Sequence, residues 1–464
     1  MSNQSASLYQ SLTAEERKRF TSYLLSPLYN ERKDVVRLNR LLGQFGELED
    51  KQKWFGKVYP NSDYQDFKWR QLNSSYLSLL EDFLVHDYQD TFSKAERELA
   101  LKKILRSRGQ SQRVKAADRR LTKSMNILND GARYAHCYFE VQKENIQQQI
   151  DKREVTVTAI ESLRRNHERA FLLESLRLAS QSLAAQSIEP GELKHPLLAI
   201  LLDHFAQPDQ LSADPVLALY VYCYRMLEKP DAVAAFNSFL LLLPTLDKMA
   251  ADEARDLTLL AVNYCVRRVN AGNSSASITA LDLYTRGLEA GYLLDQGRIS
   301  RFTFSNAIAF ALKGKSIERA MEFLNRFSDL LPPAYRQSTV ALNRARLAYE
   351  SGELDVALNE LQSASDQETI TTLNIKILQM RVYYQLSEFR LLDAHLDALE
   401  IYLRRRKETL GYHYRAYRQL VDFVRRFRRV NPLDRADLQA FHQRLITADA
   451  FPEREWLLAI SQKK

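Results

Sequence analysis

Apolar positions along the chain recur at spacings of three, four and seven residues, and no stretch alternates with the period of two that a half-buried strand requires. In "QLNSSYLSLLEDF", for example, Leu72, Tyr76, Leu79, Leu80 and Phe83 fall on one face of a helix. The expected fold class is all-α. Punctuation agrees with this. No proline lies between Pro60 and Pro190, and only Gly109 and Gly131 interrupt that stretch, so long helices can form there. Elsewhere Pro27, Pro208, Pro215, Pro244 and Pro332 separate apolar segments, because proline lacks the amide hydrogen and clashes with the turn before it.

Three regions follow from this patterning, since 464 residues are too many for one compact core. Residues 1–90 read as a helical bundle. Thr13 and Glu16 form a capping-box pair, Ser26 before Pro27 is pushed out of helical geometry, and "DVVRLNRLLGQF" continues as a second amphipathic helix. Residues 91–190 read as long charged helices. Their Ile146, Ile150, Val157, Ile160 and Leu163 keep an imperfect heptad, which favours packing within the chain over a coiled coil. Residues 191–464 read as an array of helix pairs. The array is closed by the capping helix "PEREWLLAISQKK", with Pro452, Glu453 and Glu455 in its first turn and Trp456, Leu457 and Ile460 facing inward.

The array rests on internal repetition. In "LAYESGELDVALNELQSA" Gly352 takes the turn, Leu354 plugs it, and Ala345, Ala357 and Ala364 let two helices approach. Tyr384 lies 35 residues after Tyr349, followed by Ser387 at the turn and Phe389 as the plug. Upstream, Ala307, Phe310, Gly314, Ala320 and Leu324 occupy the matching places. These units resemble the tetratricopeptide repeat, a helix-turn-helix of about 34 residues that stacks into a right-handed superhelix. They depart from it in an extra turn residue near 314, in Leu392 where a small residue is usual, and in lacking the first-helix tryptophan. "SPLYN", "NYCVRRVNAG" and "YLRRRK" are also similar to large, uncharacterised bacterial helical-repeat proteins, a likeness that adds no function.

The resemblance implies a right-handed α-solenoid whose first helices line a concave wall. Arg346 and Tyr349 would stand beside Arg381 and Tyr384 of the next unit, with Asn343 and Asn374 nearby. Such a ladder suits a carboxylate, which a guanidinium grips with paired hydrogen bonds while tyrosine gives rigid contact area. The alternative is internal: each arginine pairs with an acid such as Glu350, and each tyrosine packs on the next helix.

Charge adds a second candidate. The net +8 is concentrated in two segments, residues 102–124 with nine Lys/Arg against Asp118 and residues 403–429 with ten against Glu408 and Asp422. In the latter, Tyr414, Tyr417, Val421, Val424 and Phe427 fall on one side as core. That leaves Arg404, Arg405, Arg406, Arg415, Arg418, Arg425, Arg426 and Arg429 as a basic patch. It reads as a solvated face, a surface for an acidic protein, or a phosphate-binding strip.

Little else suggests chemistry. Cys137, Cys223 and Cys265 are isolated, so neither a disulfide framework nor a zinc site is expected, and a reducing cytoplasm fits. No apolar run reaches the length that spans a bilayer, and no membrane insertion is expected. Phosphate-loop, H-E-x-x-H and G-x-S-x-G patterns are absent, and the eight histidines are scattered. No catalytic residue, metal or cofactor is expected. The function expected is that of a non-enzymatic cytoplasmic scaffold or adaptor holding a protein or peptide, an acidic segment among the candidates, on the concave wall. The alternative is a nucleic-acid-associated regulator using the two basic segments.

Overall fold

The computed structural model describes residues 4–46, 50–60, 62–87, 91–186, 191, 196–205, 207–229, 231–364, 368–411, 413–431, 434–449 and 451–462. Helix takes 82% of the chain, and no strand forms among the described residues. None of the described helices is long and apolar enough to cross a membrane. The chain falls into two compact units, residues 1–128 and 129–464. The long charged helices of 91–190 are thus divided between the units. The breaks expected near 90 and 190 lie in segments outside the described residues.

The first unit contains α1 (Gln4–Ser11), α2 (Ala14–Leu25), α3 (Lys33–Phe45), α4 (Lys51–Val58), α5 (Asp66–Asp87), α6 (Thr91–Ser107) and α7 (Ser111–Met125). Thr13 caps α2 as its sequence suggests: its N–H donates to Glu16 Oε2 at 2.7 Å and Glu16 N–H donates to Thr13 Oγ1 at 3.2 Å. Ser26 leaves the helix at ψ 121° ahead of Pro27. Leu72, Tyr76, Leu80 and Phe83 of α5 are buried against Phe20 and Leu24 of α2 and Leu38 and Leu42 of α3, and Leu79 is partly buried beside them. The Tyr76 hydroxyl donates to Asn39 at 2.8 Å and Asn39 donates to Thr21 at 3.1 Å, which satisfies a polar chain inside an apolar core. The short helices α1 and α4 close the core with Tyr9, Trp54 and Phe55. At eight residues each they span too few turns to show a period in the sequence.

The second unit runs α8 (Ala132–Lys152), α9 (Val157–Gln186), α10 (Pro196–Phe205), α11 (Pro208–Ala213), α12 (Pro215–Glu228), α13 (Val233–Leu241), α14 (Leu243–Leu246), α15 (Ala251–Asn270) and α16 (Ser275–Glu289). It continues with α17 (Arg301–Lys313), α18 (Ile317–Phe327), α19 (Pro333–Glu350), α20 (Leu354–Ser363), α21 (Thr369–Gln385) and α22 (Phe389–Arg405). It ends with α23 (Lys407–Leu410), α24 (His413–Arg429), α25 (Arg435–Thr447) and α26 (Arg454–Gln462). Neighbours in sequence pack as pairs, and helices two or three apart also touch: α9 with α12, α12 with α15, α17 with α19, α19 with α21, and α22 with α24. Sequential packing of this kind fits a helical repeat. Ala307, Ala320, Ala345 and Ala357 are wholly buried, and so is Leu392.

One turn geometry recurs through the unit. The first helices of five pairs end on a left-handed residue: Arg153 (φ 61°), Gly272 (φ 94°), Lys315 (φ 55°), Gly352 (φ 81°) and Ser387 (φ 60°). The next amide then donates to a carbonyl five residues back, as from Asn273 to Arg268 at 2.9 Å, from Glu353 to Ala348 at 2.8 Å and from Glu388 to Tyr383 at 3.0 Å. This is the Schellman closure, which satisfies carbonyls that a helix end would leave orphaned. The α8–α9 pair shares it, as does the α6–α7 hairpin of the first unit, where Gly109 (φ 68°) precedes a bond from the Gln110 amide to the Leu105 carbonyl at 3.0 Å. Gly314 is not the left-handed residue of its turn. A Cβ there would come within 2.6 Å of Ile278 Cδ1 on α16, so Gly314 serves close approach, while Lys315 takes the positive φ.

Candidate functional site: an arginine and tyrosine cluster under the last helix

The four ladder residues lie on α19 and α21, two neighbouring first helices that pack together. The Arg381 guanidinium carbon sits 4.3 Å from the centre of the Tyr349 ring, a cation–π arrangement between successive units. Tyr349 is buried, and Arg381 covers one face of its ring. Arg381 also pairs with Glu350 at 3.3 Å, the acid that the internal reading of the sequence singled out. Arg346 is half-buried, and its Nη1 donates to Asn343 Oδ1 at 3.2 Å. Asn343 has no exposed surface; its amide donates to Ser305 of α17 at 3.0 Å and to the Thr339 carbonyl at 2.8 Å. It ties α19 to α17 and orients Arg346 instead of facing outward. Asn374 is half-buried on α21.

The cluster is covered by the end of the chain. Glu453 pairs with Arg381 at 3.1 Å. Trp456 meets Tyr384 edge to face, with ring centres 5.5 Å apart, and Tyr384 also packs on Phe389 and Phe427. Glu455 reaches Lys313 at the end of α17 at 3.7 Å. Leu457 is wholly buried, while Trp456 and Ile460 are partly buried, so the inward face expected of this helix is the face it presents. Helix α26 starts at Arg454, not within "PE": Glu453 takes a left-handed φ of 61°, which places Pro452 and Glu453 in the turn before the helix. That conformation is unfavourable for a residue with a Cβ.

Electrostatics separate the two arginines. Burial lowers the Arg346 guanidinium from its ordinary value; Glu453 opposes that shift and the positive Arg381 adds to it. Burial would lower Arg381 as well, but Glu453, Tyr349 and Glu350 outweigh it and the net shift is upward. The buried Arg381 Nε has no hydrogen-bond partner. The cluster thus holds two guanidinium groups and two carboxylates, one of which arrives on the last segment.

The basic segment near the carboxy terminus divides. Val421, Val424 and Phe427 are buried, with Tyr414 and Tyr417 partly so, as the spacing requires. Arg404, Arg405, Arg406, Arg415, Arg418, Arg426 and Arg429 are exposed. Arg425 departs from the expected patch: it is half-buried and bound to Asp397 at 2.6 Å and Glu400 at 2.5 Å, acids that share a stripe on α22. Arg428 lies 3.8 Å from the centre of the Phe389 ring. Residues 102–124 form most of the α6–α7 hairpin, where Lys102 is buried against Asp118 and Arg120 pairs with Glu98 at 3.0 Å.

A separate cleft of about 590 Å³ opens beside α8 and α9, lined by His136, Phe139, His167, Phe171, Arg177 and Glu253 among others. At its floor Glu253 accepts from the Ala132 and Arg133 amides at 2.8 and 3.0 Å and from the Tyr220 hydroxyl. These bonds cap the amino end of α8. Among the described residues no group of three or more His, Cys, Asp or Glu side chains is placed to hold a metal ion.

Two features were not readable from the sequence. Glu453 looked like an ordinary helix-start acid, and nothing in "FPEREW" marks its reach to Arg381. Glu253 lies in an unremarkable "ADEARD", and its bonds to residues 132 and 133 span the whole α8–α15 interval. These features make the chain an all-helical protein of sequentially packed helices, with a cationic and aromatic cluster under its final helix. Compared with known proteins, the chain matches no family model, no curated protein and no solved structure.

Proposed function

We propose that the protein is a non-enzymatic scaffold or adaptor that holds a protein or peptide on the inner wall of a tetratricopeptide-like, right-handed stack. The observation that carries this reading is the convergence of Arg346, Tyr349, Arg381 and Tyr384 on two neighbouring first helices, with Arg381 stacked over the tyrosine of the preceding unit. Extended walls built from repeated helices recognise polypeptides by distributed contacts, and guanidinium groups beside aromatic rings recognise carboxylate and apolar side chains together.

The test is comparative capture from lysate with the wild-type chain and the R346E/R381E variant, whose helical circular dichroism should match. Proteins held by the first and lost by the second support the reading; an unchanged set contradicts it. The exposed arginines of α22 and α24 favour a second reading, binding of nucleic acid. Titration with random duplex and single-stranded nucleic acid across salt tests it, because phosphate binding by these side chains weakens steeply as salt rises.

A further inference from the structure

The last segment behaves as a ligand of its own fold. Residues 451–462 touch α17 through Glu455 and Lys313, α21 through Glu453 and Arg381 and through Trp456 and Tyr384, α24 by packing, and α25, where Arg454 Nε donates to the Leu445 carbonyl at 2.8 Å. A short helix therefore lies across the very helices that a bound peptide would cross. Its chemistry is also that of a peptide: a carboxylate on the guanidinium, a large aromatic ring three residues later against the half-buried Tyr384, and an apolar residue in the core.

The fit carries signs of being replaceable. Glu453 adopts a left-handed backbone that favours glycine, so the carboxylate is held at some local cost. Arg381 keeps an unpartnered buried Nε, and Arg346 makes its hydrogen bond to an amide oxygen. Without Glu453, the two guanidinium groups of the cluster are left with one carboxylate, Glu350, which pairs with Arg381, so the wall is short of negative charge. The seat is complementary to an acidic segment and is not fully satisfied by its present one.

We infer that this wall is a binding site for a short helical segment of another protein that carries a carboxylate followed one turn later by a bulky aromatic residue, and that residues 451–462 occupy it in cis until such a segment displaces them. This deepens the scaffold reading and rests on it, by naming the class of partner and the element that competes with it. The competition makes the wall less available in the intact chain, and apparent affinity falls by the fraction of molecules that are open.

The experiment uses a fluorescein-labelled peptide with the sequence of residues 451–462, titrated into the full chain by anisotropy. Wild type, E453K/W456A and E453K/W456A with R346E/R381E are compared, each with a scrambled peptide as control. E453G is added because glycine suits the left-handed position, so the turn keeps its shape while the carboxylate is lost. Expected is binding to E453K/W456A tighter than to wild type by about tenfold or more. E453G should lie between, and R346E/R381E should abolish the gain. Equal binding to wild type and both released chains overturns the inference, as does binding that survives R346E/R381E or the scrambled sequence. A dimer of E453K/W456A or E453G that excludes the peptide also overturns it, in favour of exchange between two copies. Failure here with arginine-dependent capture intact removes only the cis competitor. Peptide binding without such capture removes only the scaffold reading.

Discussion

Glu253 and Glu453 each fasten a helix start within the second unit, one at α8 and one at α26, and their surroundings could hardly differ more. Glu253 is 6% exposed and accepts from two backbone amides and a phenol. The chain is shaped around it: Gly131 has φ 153°, and a Cβ there would stand 2.5 Å from Glu253 Oε2. Burial and then the Glu253 charge push the Tyr220 phenol far above its ordinary value, so it remains a donor throughout the working range. Glu453 has a guanidinium partner on side chains left 20% and 26% exposed, and a strained backbone. A carboxylate buried against two backbone amides of another helix and a phenol cannot be exchanged without unfolding. A carboxylate held by side chains on a wall can be replaced by another that offers the same group.

The largest expected effect is at the fixed end. E253A leaves two amides and a buried phenol without their acceptor, and its urea-unfolding free energy should fall by about 3 kcal/mol or more. A loss under about 1 kcal/mol would erase the contrast with Glu453. G131A should be destabilised in the same assay, because the added carbon meets the carboxylate and the backbone is one that side chains rarely adopt.

Asp34 in the first unit supplies an intermediate case. Burial raises its carboxyl, but hydrogen bonds from Arg32 and Tyr59 and the Arg32 charge outweigh that and hold it at about 2. The folded value lies below the unfolded one. The associated stability is therefore full above about pH 4 and is lost as pH falls through about 2. Allowing for solvent screening, it amounts to about 1 to 2 kcal/mol. D34N should flatten that acid limb of the stability profile, and an unchanged limb would remove Asp34 from the series.

E453G should change global stability by less than about 1 kcal/mol, since a partly exposed ion pair contributes little and glycine relieves the left-handed turn. Smallest of all, R426E/R429E should leave the melting midpoint within the equivalent of about 0.5 kcal/mol, because both side chains face solvent. A larger drop would mean that the exposed basic face is structural.

Most of the helical architecture could be read from periodicity and punctuation, and the three best hairpins from their small residues and turn positions. Thr13, Ser26, the core face of α5 and the inward face of α26 follow from local rules, and each sits where those rules put it. Left-handed residues other than glycine were hidden: Arg153 and Lys315 close turns because the tertiary packing of the hairpin compensates an unfavourable φ. The arginines and tyrosines were legible as neighbours across one repeat spacing. Their cover was not, because Glu453 and Trp456 lie far along the chain and no local rule links them to α21. Arg425 went astray for a related reason, as its partners Asp397 and Glu400 belong to another helix.

Hydrogen exchange measured by mass spectrometry on the intact chain compares the fixed and replaceable ends directly. Amides of α26 should exchange far faster than those of α8, through local opening that leaves the rest of the fold closed, and E453G should speed α26 while leaving α8 unchanged. Protection of α26 equal to that of α8, unmoved by E453G, would contradict a releasable cover and make the last helix a permanent part of the core.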